Sequence, residues 1–152
     1  MNPSPAPRSF WNVLAQRAQD QIDTIDQHLT QAKLRVQQLQ DSHQRLLNLY
    51  QDYARQVHGD GQYSQGMSQN MELRQFMSQL CALRDRVQTD ITHTRNQIEG
   101  LLERRTEAEH QRLKMSTLAE RDQTIWLTEV RKKEQRQMDE LGVQMFNRQT
   151  AR

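Results

Sequence analysis

The stretch WNVLAQRAQDQIDTIDQHLTQAKLRVQQLQDSHQRLLNLYQDYARQV, residues 11–57, decides the fold. Stepping alternately four and three residues onward from Trp11 lands on Ala15, Ala18, Ile22, Ile25, Leu29, Ala32, Val36, Leu39, His43, Leu46, Tyr50, Tyr53 and Val57. His43 is the one polar member of that row. A repeat averaging about 3.5 residues keeps the row on one line of an α-helix, and a left-handed supercoil holds that line against a partner. Such a helix runs roughly 70 Å at about 1.5 Å per residue, too long to hide its stripe inside a globule of 152 residues. The pattern predicts a coiled-coil strand, with function residing in length, surface and partners.

Composition points the same way. Good helix formers, glutamine above all, fill the positions between seam residues, so local propensity and periodicity agree. All three prolines, Pro3, Pro5 and Pro7, precede the seam, which makes residues 1–10 a flexible proline-rich tail before a first helix over 11–57. Gly59, Gly61 and Gly66 fall with Asp60, Ser64 and Ser68 in the one internal loop signal, giving a hairpin loop over 58–69.

Beyond the loop the same spacing selects Leu73, Met77, Leu80, Arg84, Val87, Ile91, Thr94, Ile98, Leu101, Arg105, Ala108, Arg112, Met115 and Ala119, with Leu83 and Leu102 flanking. Arg105 and Arg112 are tolerable on a seam because their methylenes lie along apolar surface while the head reaches water. Gly100 softens this helix without ending it. The expected fold is all-α: a long antiparallel two-helix coiled-coil hairpin with a longer second helix over 70–146 and a flexible tail over 147–152. A loop centred near Ser64 places Val57 by Met71 and Trp11 by Thr117.

In that register nothing after Thr117 has an intramolecular partner, yet Leu118, Ile125, Trp126, Leu127, Val130, Met138, Leu141, Met145 and Phe146 continue an apolar face. A frayed terminal helix with scattered surface apolars is one account, since single exposed apolar residues are ordinary. A docking surface is the other, with Trp126 as anchor beside Val130, and with Arg131, Lys132 and Lys133 steering the helix toward an acidic rim.

Other classes lack support. No apolar run is long enough to span a membrane and no signal-peptide core is present, so direct membrane insertion is not expected and the chain is read as cytoplasmic. Cys81 stands alone beside Leu80 without an activating group, which reads as a core-flanking thiol. His28, His43, His58, His93 and His110 show no metal-ligand spacing; His43 reads as a register residue packed between helices. Basic and acidic residues nearly balance, 21 against 19, and Glu129 and Glu134 bracket the Arg131–Lys133 cluster, so nucleic acid is not an expected partner. No paired carboxylates, triad or phosphate loop can be placed, so the chain is read as non-enzymatic, without catalytic residues, metal or cofactor.

Three segments carry a resemblance. Leu46-Leu47-Asn48-Leu49-Tyr50-Gln51-Asp52-Tyr53 before the loop, Gln75-Phe76-Met77-Ser78-Gln79-Leu80 after it, and Lys132-Lys133-Glu134-Gln135-Arg136-Gln137-Met138-Asp139-Glu140 near the end, on unequal helices, resemble the FliJ family of the bacterial flagellar type III export apparatus. The resemblance covers nearly the whole chain. It implies a cytoplasmic, non-enzymatic interaction subunit, associated peripherally with the inner-membrane export apparatus through protein partners. These are the hexameric flagellar export ATPase, whose ring such proteins enter and help assemble, the membrane export gate protein, and export chaperones. Matched one at a time, the family's gate-contacting positions fall on Leu46, Leu49, Tyr53, Phe76, Leu80 and Leu83. A family tyrosine stands here as Leu49, with Tyr50 beside it, which shifts the aromatic part of that surface by one position.

On the periodicity, Leu46, Tyr53 and Leu80 lie on the seam, whereas Leu49, Phe76 and Leu83 lie beside it. The stripe near the loop is thus wider than two helices need, either as a thinly covered core or as a groove for an apolar or helical segment of the gate. The expected free state is a monomer. The alternative function is a generic coiled-coil adaptor or chaperone that pairs its long helices between chains as a homodimer.

Overall fold

The computed structural model describes residues 10–59 and 67–151. They form two helices, α1 over Phe10–Gly59 and α2 over Met67–Thr150, packed against each other as a helical hairpin with the longer helix second. Polar side chains one turn apart support both helices locally. Gln16 Nε2 donates to Asp20 Oδ1 at 3.0 Å, Gln44 Nε2 to Asn48 Oδ1 at 3.0 Å, and Gln135 Nε2 to Asp139 Oδ1 at 3.3 Å. Threonine, an indifferent helix former, is accommodated by donating to the carbonyl four residues back, as Thr117 does to Leu113 O at 2.8 Å.

The helices run further than the hydrophobic pattern predicts. Residues 58, 59 and 67–69, assigned to the loop by their glycine and serine neighbours, are helical, as is Phe10. At the far end, residues 147–150 continue α2 instead of forming a tail. Asn147, Arg148 and Gln149 contain no breaker, Arg148 complements the helix dipole in the last turn, and the Thr150 hydroxyl donates to Phe146 O at 3.1 Å. The remaining loop positions, 60–66, and the predicted tail positions 1–9 and 152 lie outside the described residues.

Packing divides the chain into two compact units, Asp23–Arg105 and Met1–Ile22 with Thr106–Arg152. In the first, Leu29, Leu80, Ile91 and Leu101 are buried, and every other seam position predicted there is buried or half-buried. His43 is half-buried on the seam. Thr94, also buried, gives up no hydrogen bond, since its hydroxyl donates to Asp90 O at 2.8 Å. Cys81 is a half-buried free thiol.

Two contacts between the helices show the register of this unit. The Tyr53 ring meets Phe76 edge-on, with centroids 5.0 Å apart, and Arg105 Nε donates to Asp26 Oδ1 at 2.7 Å. The loop-centred register calls for Gln75 and Leu102 at those levels, so the offset is one residue near the loop and three further away. Helical side chains lean toward their own N-terminus, which sets the long Arg105 side chain over the turn before it and accounts for much of the larger offset. The Arg105 head therefore finds a carboxylate across the seam instead of water. Both partners stay partly exposed, at 33% and 47% of the side chain, so the pair selects register more than it stabilises. A double-mutant cycle with Asp26→Asn and Arg105→Gln should give a coupling below about 1 kcal/mol that fades as salt is raised.

The second unit has a thinner core. Ala18, Ile22 and Ala108 are buried, with Trp11, Ala15, Met115 and Ala119 half-buried about them. Alanines on both sides let the helices approach closely while removing little apolar area from water. Arg112 lies on this seam with its Nε out of solvent and without an acceptor among the described residues, a cost that a thin core does not readily offset.

No close packing requires glycine at either Gly100 or Gly142 of α2. A Cβ at Gly100 or Gly142 would meet nothing within 4 Å. Each thus costs α2 about 0.5–1 kcal/mol relative to alanine with no return inside the chain.

Candidate partner-binding surfaces

Two groups of side chains are apolar where the hairpin has no need of them. The first lies in the unit of Asp23–Arg105, on the turns nearest the loop. Leu49, Phe76 and Leu83 are exposed at 39%, 39% and 48%, whereas Leu46 and Tyr53 are half-buried and Leu80 is buried at 6%. The seven-residue repeat explains the division. Positions on the 3.5 line face the opposite helix, and Leu49, Phe76 and Leu83 each stand one place before such a position, about 100° round the helix, and turn outward. Leu80 is buried on the seam, where the periodicity placed it. The Tyr53–Phe76 ring pair spans both helices, so the outward Phe76 is held by an aromatic neighbour at a 72° interplanar angle. Tyr50 is half-buried on the seam, as Tyr53 is.

The second group lies on the C-terminal part of α2. The sequence register left everything after Thr117 uncovered, and this is corrected by the structure. Leu118, Ala119, Asp122, Trp126 and Val130 are half-buried, and Ala119 lines an open groove together with Asn12 of α1. Trp126 already engages another group within the chain. From Arg131 to Ala151 every residue is exposed. Arg131, Lys132 and Lys133 open that segment, with Lys133 also engaged within the chain. Further on, Met138, Leu141 and Met145 follow one another at spacings of three and four, with Val143 and Phe146 alongside, and all five are exposed. The sequence reading gave the anchor role to Trp126 and placed Met138, Leu141, Met145 and Phe146 on the same continuing apolar face, with Val143 alone outside it.

Among the described residues no group of three or more His, Cys, Asp or Glu side chains could hold a metal ion, and no helix is long and apolar enough to cross a membrane.

The model of the flagellar FliJ protein family matches residues 11–151. The chain belongs to the FliJ family. Comparison with curated proteins finds no match, and neither does comparison with solved structures. Family membership places the chain among components of the flagellar export apparatus, and the match takes in both apolar surfaces, the half-buried seam between the helices and the fully exposed end of α2.

Proposed function

We propose that this FliJ-family chain is a non-enzymatic interaction subunit of the flagellar type III export apparatus. It binds the export ATPase and promotes assembly of its ring, couples that ring to the membrane export gate, and receives export chaperones. It works in the cytoplasm, reaching the inner membrane through protein partners alone. The observation that carries the reading is the exposure of Leu49, Phe76 and Leu83 beside a seam already filled by other residues. Fold does not need these side chains outward, and a gate segment docking there covers them.

The ring-side contact is assigned to the end of α2. Met138, Leu141 and Met145 supply its apolar stripe, Trp126 and Val130 its shoulder, and Arg131, Lys132 and Lys133 its positive charge. A generic adaptor that dimerises through its long helices fits less well, because both seams are occupied within one chain.

Binding of the purified cytoplasmic domain of the gate tests the reading. Leu49→Ala and Phe76→Ala should each weaken it at least tenfold, as loss of a central apolar contact worth about 1.4 kcal/mol or more does, with circular dichroism unchanged. Wild-type affinity in both variants would remove the gate from this surface.

A further inference from the structure

Within the unit of Asp23–Arg105 an open groove of about 430 Å³ runs between the helices, flanked by His28, Gln31 and Arg35 of α1 and by Gln97, Gly100 and Arg104 of α2. No carboxylate lines it. Arg35 and Arg104 make no ion pair or hydrogen bond among the described residues, although Arg105 next along the chain is committed to Asp26. Gly100 is the second observation. It is half-buried in the paired part of α2, yet a Cβ there would meet nothing, so the chain's own packing gives no reason for glycine. Gly142 is equally open, but it lies in a segment exposed throughout, where open space is expected.

We propose that this groove binds an acidic segment of a partner protein, whose carboxylates engage Arg35 and Arg104 while its main chain lies over Gly100. A guanidinium takes a carboxylate through two parallel hydrogen bonds, and a position without a side chain admits close approach of another backbone. The amides of Gln31 and Gln97 suit the donors and acceptors of a peptide main chain. Nucleic acid suits the groove less. Glu99, Glu103 and Glu107 stand exposed along α2 close by, and a phosphate backbone needs a continuous run of cations. The groove is separate from the loop-end and C-terminal surfaces, and the proposal holds whatever binds at those.

Titration of the isotope-labelled full chain with a blocked hexaglutamate peptide, followed by amide chemical shifts, tests this. Saturable shifts should centre on Gln97, Gly100 and Leu101. Arg35→Gln and Arg104→Gln should each weaken binding about tenfold, the usual worth of one charge-assisted contact. Gly100→Leu should weaken it comparably while helicity is kept, since leucine is a good helix former and its Cβ meets no neighbour. Shifts of equal size around Arg45 and Arg55, or undiminished affinity in Gly100→Leu or in both arginine variants, would overturn the proposal. Tighter binding of hexathymidylate at the same amides would also overturn it, giving the groove to nucleic acid.

Discussion

Ending the chain after Val130 should abolish stimulation of export ATPase ring assembly and leave thermal unfolding of the remaining hairpin within a degree or two of the full chain. The removed segment is exposed from Arg131 onward, so it contributes little to the packing that sets the unfolding temperature. It does carry the Met138, Leu141 and Met145 stripe, exposed at 70%, 58% and 66%. Burying those side chains in a ring removes apolar area from water at roughly 25 cal/mol per Å² before the costs of association. Truncation at Thr117 is a poorer experiment, because it also removes Trp126 and Val130, which are half-buried within the chain. Neutralising Arg131 and Lys132 should act differently, lowering the association rate and its salt dependence while the dissociation rate changes little. Full stimulation by the truncated protein would return the exposed stripe to the status of an ordinary helix surface.

Core truncations should show the opposite pattern. Leu29→Ala, Leu80→Ala and Ile91→Ala remove side chains that are 6%, 6% and 3% exposed. Each should destabilise the hairpin by about 2–3 kcal/mol, the low end of the range for buried aliphatic residues, because a two-helix core lets surrounding chains collapse into the gap. At about 2–4 °C per kcal/mol for a chain of this size, melting should fall by roughly 4–12 °C. Leu39→Ala should cost less, since Leu39 keeps some exposure. The matched surface variants Leu49→Ala and Phe76→Ala should move the melting temperature little. Equal losses from both sets would mean that the seam and the outward face are not distinct.

Nearly all of the pairing was legible in the sequence because one physical rule governs it. A two-helix coiled coil buries a line of residues and nothing else, so a 3.5-residue period names the core directly. All fourteen positions from Trp11 to Val57 and all fourteen from Leu73 to Ala119 are buried or half-buried. The flanking residues Leu83 and Leu102 are exposed, as a position off that line should be. Helix ends were less legible, because glycine and serine mark where a helix can stop and hydrogen bonds one turn apart decide where it does. The extent of cover beyond Thr117 could not be read from spacing alone. It depends on how far the start of α1 reaches along α2, as Asn12 does in lining a groove with Ala119, which period does not encode. Burial of Leu80 beneath the loop-end surface followed from its place on the seam, although similarity to the family assigned it to the contact set. The groove at Gly100 carried no signal beyond one glycine in a helical run, and the absence of lining carboxylates became visible only with both helices in place.

The central claim is that one chain joins the ATPase to the gate through two different surfaces. It is tested most directly by immobilising the gate's cytoplasmic domain and measuring capture of purified export ATPase with and without this protein. Capture should require the intact chain and should be lost both with the Leu49→Ala, Phe76→Ala double variant and with the chain ended after Val130. Each altered protein should keep the single partner its remaining surface binds. Capture that persists with either altered protein, or that occurs with no protein added, would contradict the account.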